Sequence, residues 1–435
     1  MRIHVLSRSE KELRQTTVAA STRNYHPDLH PFERAREYQR ALNAAKLERA
    51  LAQPLVTTAE GHCDGVYRLA THPRRLADVA SGAGDGELRV WRLSRGCLWR
   101  NTQAHGGMIV GLSSSADGRL LFSCSGDSGV CAWEWPESFG DAPQQPSSVF
   151  RARGSAFSAL DVALENSAST ATFATGTEAG QLWLWHTDRS EPMLRLQDAA
   201  AATEELALIT SVRFHPSDAS LLSSSGADRR VRLFDVRQRG SVGNTRLPMR
   251  ANEVAWNPMD TYLLSVATDD HNVYTHDMRR LDRVRSTQVG HVGAVLSVHY
   301  SPTGRELCTG SYDSLVRIYP THARQARDVY YTRRMQRVFA VRFSSDAHYL
   351  LSGSDDGNVR VWKTHASEPL RPLLPRERRA LDHANALKRK FSQVGEVRRL
   401  LRQRHLPRRV HHALRQKHQE LASRQRKAER RERHS

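Results

Sequence analysis

The sequence predicts an all-β fold, a seven-bladed β-propeller, carrying an N-terminal extended and helical arm and a basic α-helical C-terminal tail. Two observations predict the propeller. Ser352-Gly353-Ser354-Asp355-Asp356-Gly357-Asn358-Val359-Arg360-Val361-Trp362 ends one strand on small residues, turns on Asp-Gly, and enters a strand of period two that stops at an aromatic. Ser81-Gly82-Ala83-Gly84-Asp85-Gly86-Glu87-Leu88-Arg89-Val90-Trp91 repeats that phrase. The closing positions are Trp91, Trp133, Trp185, Phe234, His276, Tyr319 and Trp362, spaced 42, 52, 49, 42, 43 and 43 residues apart. A period of about 40–45 residues with four short strands in each is the signature of a propeller.

Fixed offsets within each repeat name a polar set. Ten residues before the closing position stand Ser81, Ser123, Thr175, Ser224, Val266, Thr309 and Ser352. Six before it stand Asp85, Asp127, Ala179, Asp228, Asp270, Asp313 and Asp356, so the third repeat lacks the acid. His62, His105 and His291 complete the set upstream in three repeats. An imidazole, a hydroxyl, a carboxylate and an indole N–H can satisfy one another inside a blade, where an unpaired polar group is costly. Ser, His and Asp together also suit a nucleophilic hydrolase. An enzyme needs one such site, whereas a scaffold needs one per blade. The residues expected to hold the fold are therefore His62, Ser81, Asp85, Trp91, His105, Ser123, Asp127, Trp133, His291, Thr309, Asp313, Ser352, Asp356 and Trp362. No phosphate loop, metal constellation or singular carboxylate pair marks a catalytic residue, cofactor or small-molecule substrate. The expectation is a non-enzyme.

Three segments follow: an arm over 1–53, the propeller over 54–363 and the tail over 364–435. Residues 1–22 are polar and basic with little periodicity and are expected to be extended or pinned on a partner. Asn24-Tyr25-His26-Pro27-Asp28-Leu29-His30-Pro31-Phe32 is turn-rich. Glu33 to Leu51 reads as a helix with Tyr38, Leu42, Ala45 and Leu47 near one face, and Pro54 ends it. Leu55-Val56-Thr57-Thr58 then reads as a strand that pairs with the one ending at Trp362 and closes the ring, which removes the open edges. The third repeat is stretched, with Ala-rich segments around Ser167–Thr172 and Ala199–Ala202 and a Pro-rich loop at Pro136–Pro146. These read as loop extensions on a propeller face.

Pro369, Pro372 and Pro375 break the strand pattern, and good helix formers follow. Leu381, Ala384, Leu387 and Phe391 form one apolar stripe. Gly395 is a break, Val397, Leu400 and Leu401 continue to Leu406-Pro407, and a third helix runs from Arg408 to about Glu432. Its apolar residues (Val410, Leu414, Leu421) are few, so its stability is expected to come from a partner.

Charge separates these segments further. The chain of 435 residues carries a formal net charge of +19. Residues 1–58 hold 10 Lys+Arg against 6 Asp+Glu, residues 59–362 hold 33 against 33, and residues 363–435 hold 22 against 7. The propeller is neutral and +15 of the charge sits in the tail. Such a block suits nucleic acid or an acidic partner. Arg398, Arg399, Arg402, Arg404, His405, Arg408 and Arg409 are the candidate RNA- or partner-binding residues, the arginines as bidentate phosphate donors. No aromatic ladder interleaves them, which argues against reading of single-stranded bases. His405, His411, His412 and His418 lack a Cys or acidic cluster and are not expected to bind metal. The five cysteines are odd in number without Cys-x-x-Cys spacing, as in a reduced intracellular protein. No apolar run is long enough to span a membrane, and the N-terminus has no signal-peptide apolar region.

The repeats resemble those of WD-repeat proteins, and both ends sharpen the resemblance. Arg23-Asn24-Tyr25, Leu29-His30-Pro31-Phe32-Glu33, Arg36-Glu37-Tyr38 and Arg40-Ala41-Leu42-Asn43-Ala44-Ala45-Lys46-Leu47-Glu48-Arg49 resemble the N-terminal segment of the WD-repeat and Sof-domain family. Leu374-Pro375-Arg376-Glu377 and Arg402-Gln403-Arg404-His405-Leu406-Pro407 are similar to the start and centre of its Sof domain. The resemblance implies a WD-repeat propeller with a Sof-like tail. It also implies a nuclear, nucleolar scaffold of the small-subunit processome. Its implied partners are pre-rRNA, a box C/D small nucleolar ribonucleoprotein and processome proteins, and its implied role is in rRNA processing and small-subunit biogenesis. Some members also resemble substrate receptors of a cullin-RING ubiquitin ligase. These dock a ligase adaptor through aromatic-Asp-x-Arg, matched here by Phe234-Asp235-Val236-Arg237 and His276-Asp277-Met278-Arg279. Asp235, Arg237, Asp277 and Arg279 are thereby the candidate adaptor contacts.

Overall fold

The computed structural model describes residues 26, 29–127, 129–137, 143, 145–151, 156–163, 171–196, 208–238, 240–402 and 405–434. Twenty-eight strands, β1 (Leu55–Ala59) to β28 (Val359–Lys363), form seven four-stranded antiparallel sheets. The innermost strands are Val66–Thr71, Ile109–Ser114, Phe157–Val162, Ile209–Phe214, Ala251–Trp256, Val295–Tyr300 and Val338–Phe343. Each touches the next, and the last touches the first, so the blades close into a ring. The fold is the seven-bladed, all-β propeller that the 42–52-residue beat announces.

Closure happens where the sequence places it. β1 pairs antiparallel with β28, Leu55 opposite Trp362 and Ala59 opposite Val359. The pairing extends past both strands, with Lys363 N–H donating to Pro54 O at 2.8 Å and Gln53 N–H to Ala366 O at 3.2 Å. One seven-residue apolar cluster joins Val66, Leu69 and Val79 of the first blade to Ala340, Leu351, Val359 and Val361 of the last. The other blade junctions are built alike: Leu88, Val90 and Trp99 of the first blade meet Ile109, Leu121 and Trp133 of the second.

The seven inner strands share a second regularity. Each slips register after its first residue, between Val66 and Arg68, Ile109 and Gly111, Phe157 and Ala159, Ile209 and Ser211, Ala251 and Glu253, Val295 and Ser297, and Val338 and Ala340. The extra residue of such a bulge is unpaired and its side chain is re-aimed.

Charged side chains tie neighbouring inner strands together. Arg213 donates to Asp161 at 3.1 Å on one side and to Glu253 at 2.6 Å on the other. Asp161 also accepts the Phe214 N–H at 2.9 Å, and Glu253 accepts the Val298 N–H at 3.0 Å. Arg342 stands 3.9 Å from Glu253 and donates to Leu69 O at 3.3 Å, while Arg68 donates through Nε to Val110 O at 2.7 Å.

The chain divides into two compact units, Met1–Leu51 with Pro369–Gln403, and Ala52–Glu368 with Arg404–Ser435. In the smaller one, α1 (Glu33–Ala50), α2 (Pro375–Lys390) and α3 (Gly395–Arg402) pack together. Tyr38 explains much of that packing: its hydroxyl donates to Glu396 at 2.9 Å and its ring meets Phe391 edge-on at 6.0 Å. Lys388 pairs with Glu48 at 2.5 Å, Lys390 with Glu37 at 2.6 Å, and Arg49 donates to Leu401 O at 3.2 Å. Ala41, Leu42, Ala45, Leu387 and Val397 are buried. Leu47 corrects the expected helix face, being 58% exposed, because the buried stripe runs through Ala41 and Ala45 instead. Leu381 is likewise 41% exposed, outside the buried part of its stripe. Pro375 at the first helical position and the Glu377 carboxylate accepting from Leu374 N–H start α2.

A fourth helix, α4 (Arg408–His434), belongs to the larger unit. Val410 is buried, and Lys417 Nζ donates to His291 O at 3.2 Å. Leu421, expected on the apolar stripe, is 46% exposed, so the stripe ends with the turn carrying Lys417. The expectations for residues 1–22 and Arg23-Asn24-Tyr25, for Arg404, and for the segment Ala199–Ala202 lie outside the described residues. So do parts of Ser167–Thr172 and Pro136–Pro146.

Candidate functional site

The polar sets assemble inside the blades, with local variations. In the first blade His62 Nε2 lies 2.6 Å from Ser81 Oγ, and the Trp91 indole donates to the same oxygen at 2.7 Å. The acid beside His62 Nδ1 is Glu87 at 3.1 Å, which corrects the expectation for Asp85. Asp85 accepts the Glu87 N–H at 3.0 Å instead and fastens the turn, whose Gly86 sits at φ +82°. With Asp85 used locally, the next outward carboxylate takes the imidazole. Glu87 also holds Arg89 at 2.9 Å and Arg100.

In the second blade His105 and Trp133 both reach Ser123, at 2.7 and 2.9 Å. Asp127 stands 3.7 Å from His105 Nδ1 and accepts the Gly106 N–H at 3.1 Å. In the sixth, His291 bridges Thr309 at 2.7 Å and Asp313 at 3.0 Å, whereas the Tyr319 hydroxyl donates to Val289 O at 3.3 Å and stays out of the set. In the seventh, Trp362 donates to Ser352 at 2.8 Å and Asp356 is held by Arg360 at 3.1 Å. Each set ties strands within one blade.

These imidazoles make the propeller acid-sensitive. Burial pushes His62 down from 6.5 to about 4 and also lowers His105, His291 and His299. A histidine whose folded pKa lies below its unfolded value stabilises fully above about pH 6.5 and loses that contribution as pH falls toward 4. Urea titrations at pH 7.5 and 5.0 are expected to show lower stability at pH 5.0, by roughly 2 kcal/mol from a single such group.

The described candidate residues of the tail lie on the surface. Arg398, Arg399 and Arg402 are exposed on α3 of the smaller unit. In the larger unit His405 is exposed, its ring stacked 6.1 Å from Tyr331, and Arg408 and Arg409 are exposed at the start of α4. The two Asp-x-Arg motifs end the third strands of the fourth and fifth blades. Asp235 accepts the Arg237 N–H at 2.9 Å and Arg237 is exposed. Asp277 takes Arg279 through two bonds, at 3.1 and 2.9 Å, and that guanidinium lies 4.2 Å over the Tyr262 ring. Arg279 is thus pre-oriented on the surface, whereas only the Arg237 backbone is fixed by its Asp.

Comparison with known proteins agrees with the fold. A Sof1-like domain matches residues 364–435, and the WD domain, G-beta repeat matches 53–92, 96–134, 203–235, 283–319 and 331–363. The protein named DDB1- and CUL4-associated factor 13 of Xenopus laevis is 39% identical over all of this chain and 96% of its own length. The human protein of that name is 38% identical over the same shares, and Protein SOF1 of Saccharomyces cerevisiae is 36% identical over 97% of this chain and 89% of its own. The chain belongs to the WD-repeat and Sof-domain family. The WD40 β-propeller domain of Doa1, at 16% identity and a TM-score of 0.59, covers 71% of this chain and 96% of its own, and shares the fold. The third and fifth repeats, outside the repeat matches, form complete blades here.

Sequence reasoning passed over Glu87, Lys417 and the bulged inner-strand residues. Glu87 lies two residues beyond the turn acid it displaces, just ahead of the strand that begins at Leu88. The others acquire their setting only from blades far away in sequence.

Proposed function

We propose that this protein is a non-catalytic scaffold of the small-subunit processome that acts in pre-rRNA processing in the nucleolus. In this reading the neutral propeller docks assembly factors, and the basic helices contact pre-rRNA or the box C/D ribonucleoprotein. The observation that carries it is the run of exposed arginines, Arg398, Arg399 and Arg402 on α3 and Arg408 and Arg409 on α4, within the segment that matches the Sof1-like domain. Guanidinium forks on a helix suit phosphates and need no base reading. The kinship with Protein SOF1 supports the ribosomal assignment through the family resemblance.

The test is RNA crosslinking and sequencing in cells with the full-length chain and a variant carrying Gln at those five positions. Wild-type crosslinks to the small-subunit rRNA precursor or its guide RNA are expected, with at least a tenfold loss in the variant. In vitro, the slope of log affinity against log salt should flatten by about one for each phosphate contact removed.

A second reading has its own observation. The exposed Arg237 and the Arg279 fork suit an adaptor of a cullin ligase, as the relatives' name DDB1- and CUL4-associated factor describes for them. Absence of RNA from the wild type, together with an adaptor lost on R237E/R279E, would put that reading first.

A further inference from the structure

The sixth blade buries a guanidinium without a counter-ion, and the other blades show what it lacks. In the first, Arg89 lies against Gly61, donates to Gly61 O at 2.6 Å and pairs with Glu87 at 2.9 Å. In the fourth and seventh, the turn acid pairs with the arginine four residues on, Asp228 with Arg232 and Asp356 with Arg360. Arg317 holds the same position in the sixth blade, two residues before the closing aromatic, and is 6% exposed. It lies against Gly290 as Arg89 lies against Gly61: a Cβ added there would stand 2.8 Å from Arg317 Nη1. Its turn acid is already spent. Asp313 is held by His291 at 3.0 Å and accepts the Val292 and Leu315 N–H groups at 3.2 and 3.1 Å. Where the first blade places Glu87, four residues before the closing aromatic, the sixth has the buried Leu315. Nε and Nη2 of Arg317 are buried without an acceptor.

A second cation arrives from the tail. Lys417 of α4 is half-buried, donates to His291 O at 3.2 Å, and lies within the fields of Asp270, Asp313 and Arg317. Asp270 is engaged by neutral donors, the Thr268 and Tyr274 hydroxyls and the Asn272 N–H. Among the described residues, then, neither carboxylate forms an ion pair with Arg317 or Lys417. Two desolvated cations without counter-ions are costly, and one anion between them relieves both. The helix is lightly held, because Val410 is its only fully buried side chain among the described residues. Local opening of so weakly packed an element admits an ion beneath it.

We propose that the junction of α4 with the sixth blade is a phosphate-binding site, where one phosphate group bridges Arg317 and Lys417 and clamps α4 to the propeller. The phosphate takes the place that the Glu87 carboxylate fills in the first blade. The Nε–Nη2 edge of Arg317 uses two oxygens, which is all a carboxylate has, whereas a phosphate offers a further one to Lys417. The exposed Arg408, Arg409 and Arg415 of the same helix add to the attraction for a phosphate. A phosphodiester of RNA and inorganic phosphate share this chemistry, and the test separates them.

The test follows hydrogen exchange of the backbone amides over 408–421 in purified full-length protein. Inorganic phosphate is compared with chloride at equal ionic strength, and the dinucleotide uridylyl-uridine with uridine. Phosphate at ten times its Kd is expected to slow this exchange about tenfold over chloride, as linkage requires of a ligand that binds only the docked helix. Protection by the dinucleotide but not by uridine assigns the site to RNA phosphodiesters, and protection by inorganic phosphate alone assigns it to the free ion. R317M should abolish the phosphate effect. L315E, which supplies the carboxylate of the first blade, should protect α4 in chloride and make phosphate superfluous. Equal exchange in phosphate and chloride with no protection by the dinucleotide, or a phosphate effect undiminished in a folded R317M, would remove the site. The wild-type comparisons stand by themselves if a variant folds poorly. The inorganic-phosphate arm is independent of the processome reading, so loss of crosslinked RNA and loss of this site are separate results.

Discussion

Glu253→Leu is expected to lower the stability of the propeller by about 3–5 kcal/mol, the usual cost of removing one partner from a buried charge network. Glu253 is the common acceptor of Arg213, at 2.6 Å, and of the Val298 N–H, at 3.0 Å, and it is the carboxylate that Arg342 faces. Without it, Arg213 keeps only Asp161 and Arg342 loses its counter-ion. Burial alone would raise the carboxyl; Arg213, Arg342 and Arg68 outweigh it and hold it at about 2. A depressed carboxylate stabilises above its unfolded pKa, near 4.5, and that contribution drains away as pH falls toward 2. Urea unfolding followed by tryptophan fluorescence measures both effects. The variant should show the loss at neutral pH and a shallower acid limb than wild type. Because the penalty comes from stranded cations, Glu253→Leu combined with Arg342→Leu should be less destabilised than the single change. An additive double variant would refute the coupling.

Trp362→Ala is expected to cost about 3–5 kcal/mol through the cavity it leaves. The indole is fully buried, stacked 5.6 Å from Tyr330, and bonded to Ser352. It also stands opposite Leu55, so the hole opens beside the strand pair that closes the ring. Its removal leaves the Ser352 hydroxyl, itself fully buried, without the indole N–H. The comparison that isolates ring closure is Trp133→Ala. Trp133 carries the same bond to a serine but sits in a blade made of consecutive strands. Both variants should lose stability in urea, and only Trp362→Ala should add rapid proteolysis near Leu55–Ala59. Equal protease sensitivity would mean that closure does not depend on this indole.

The architecture was legible because a propeller writes itself locally. Each blade announces its own turn and closing aromatic, so even the repeat closing on His276, with Val266 in place of the hydroxyl, could be counted by its spacing. Pairing of the 55–58 segment with the strand ending at Trp362 was legible too, since a ring must close. Asp85 shows the limit. Sequence offset named an acid, but whether a turn Asp bonds its own backbone or a histidine depends on angles that spacing does not carry. The partners of Glu253 were invisible for another reason. Arg213 and Val298 lie 40 and 45 residues away, on neighbouring blades, and no periodicity singles out the pair. The tail helices were legible in extent through Pro375, Gly395 and Pro407. Their packing was not: Ala41 and Ala45 are too small to stand out as a buried stripe, while the more apolar Leu47 does.

The pairing of β1 with β28 also sets a timetable for the chain as it is made. Leu55 leaves the ribosome 307 residues before its partner Trp362 (362 − 55). At about 5–20 residues per second, that is roughly 15–60 s. For that interval the nascent propeller carries an unpaired strand at its start and an open edge at its growing end, both templates for pairing with other chains. The seventh blade is the last to be completed, and it is completed by the oldest strand of the ring. The protein can present a closed ring to a partner only after the strand ending at Lys363 has been translated, so any docking that requires a closed ring waits for that strand.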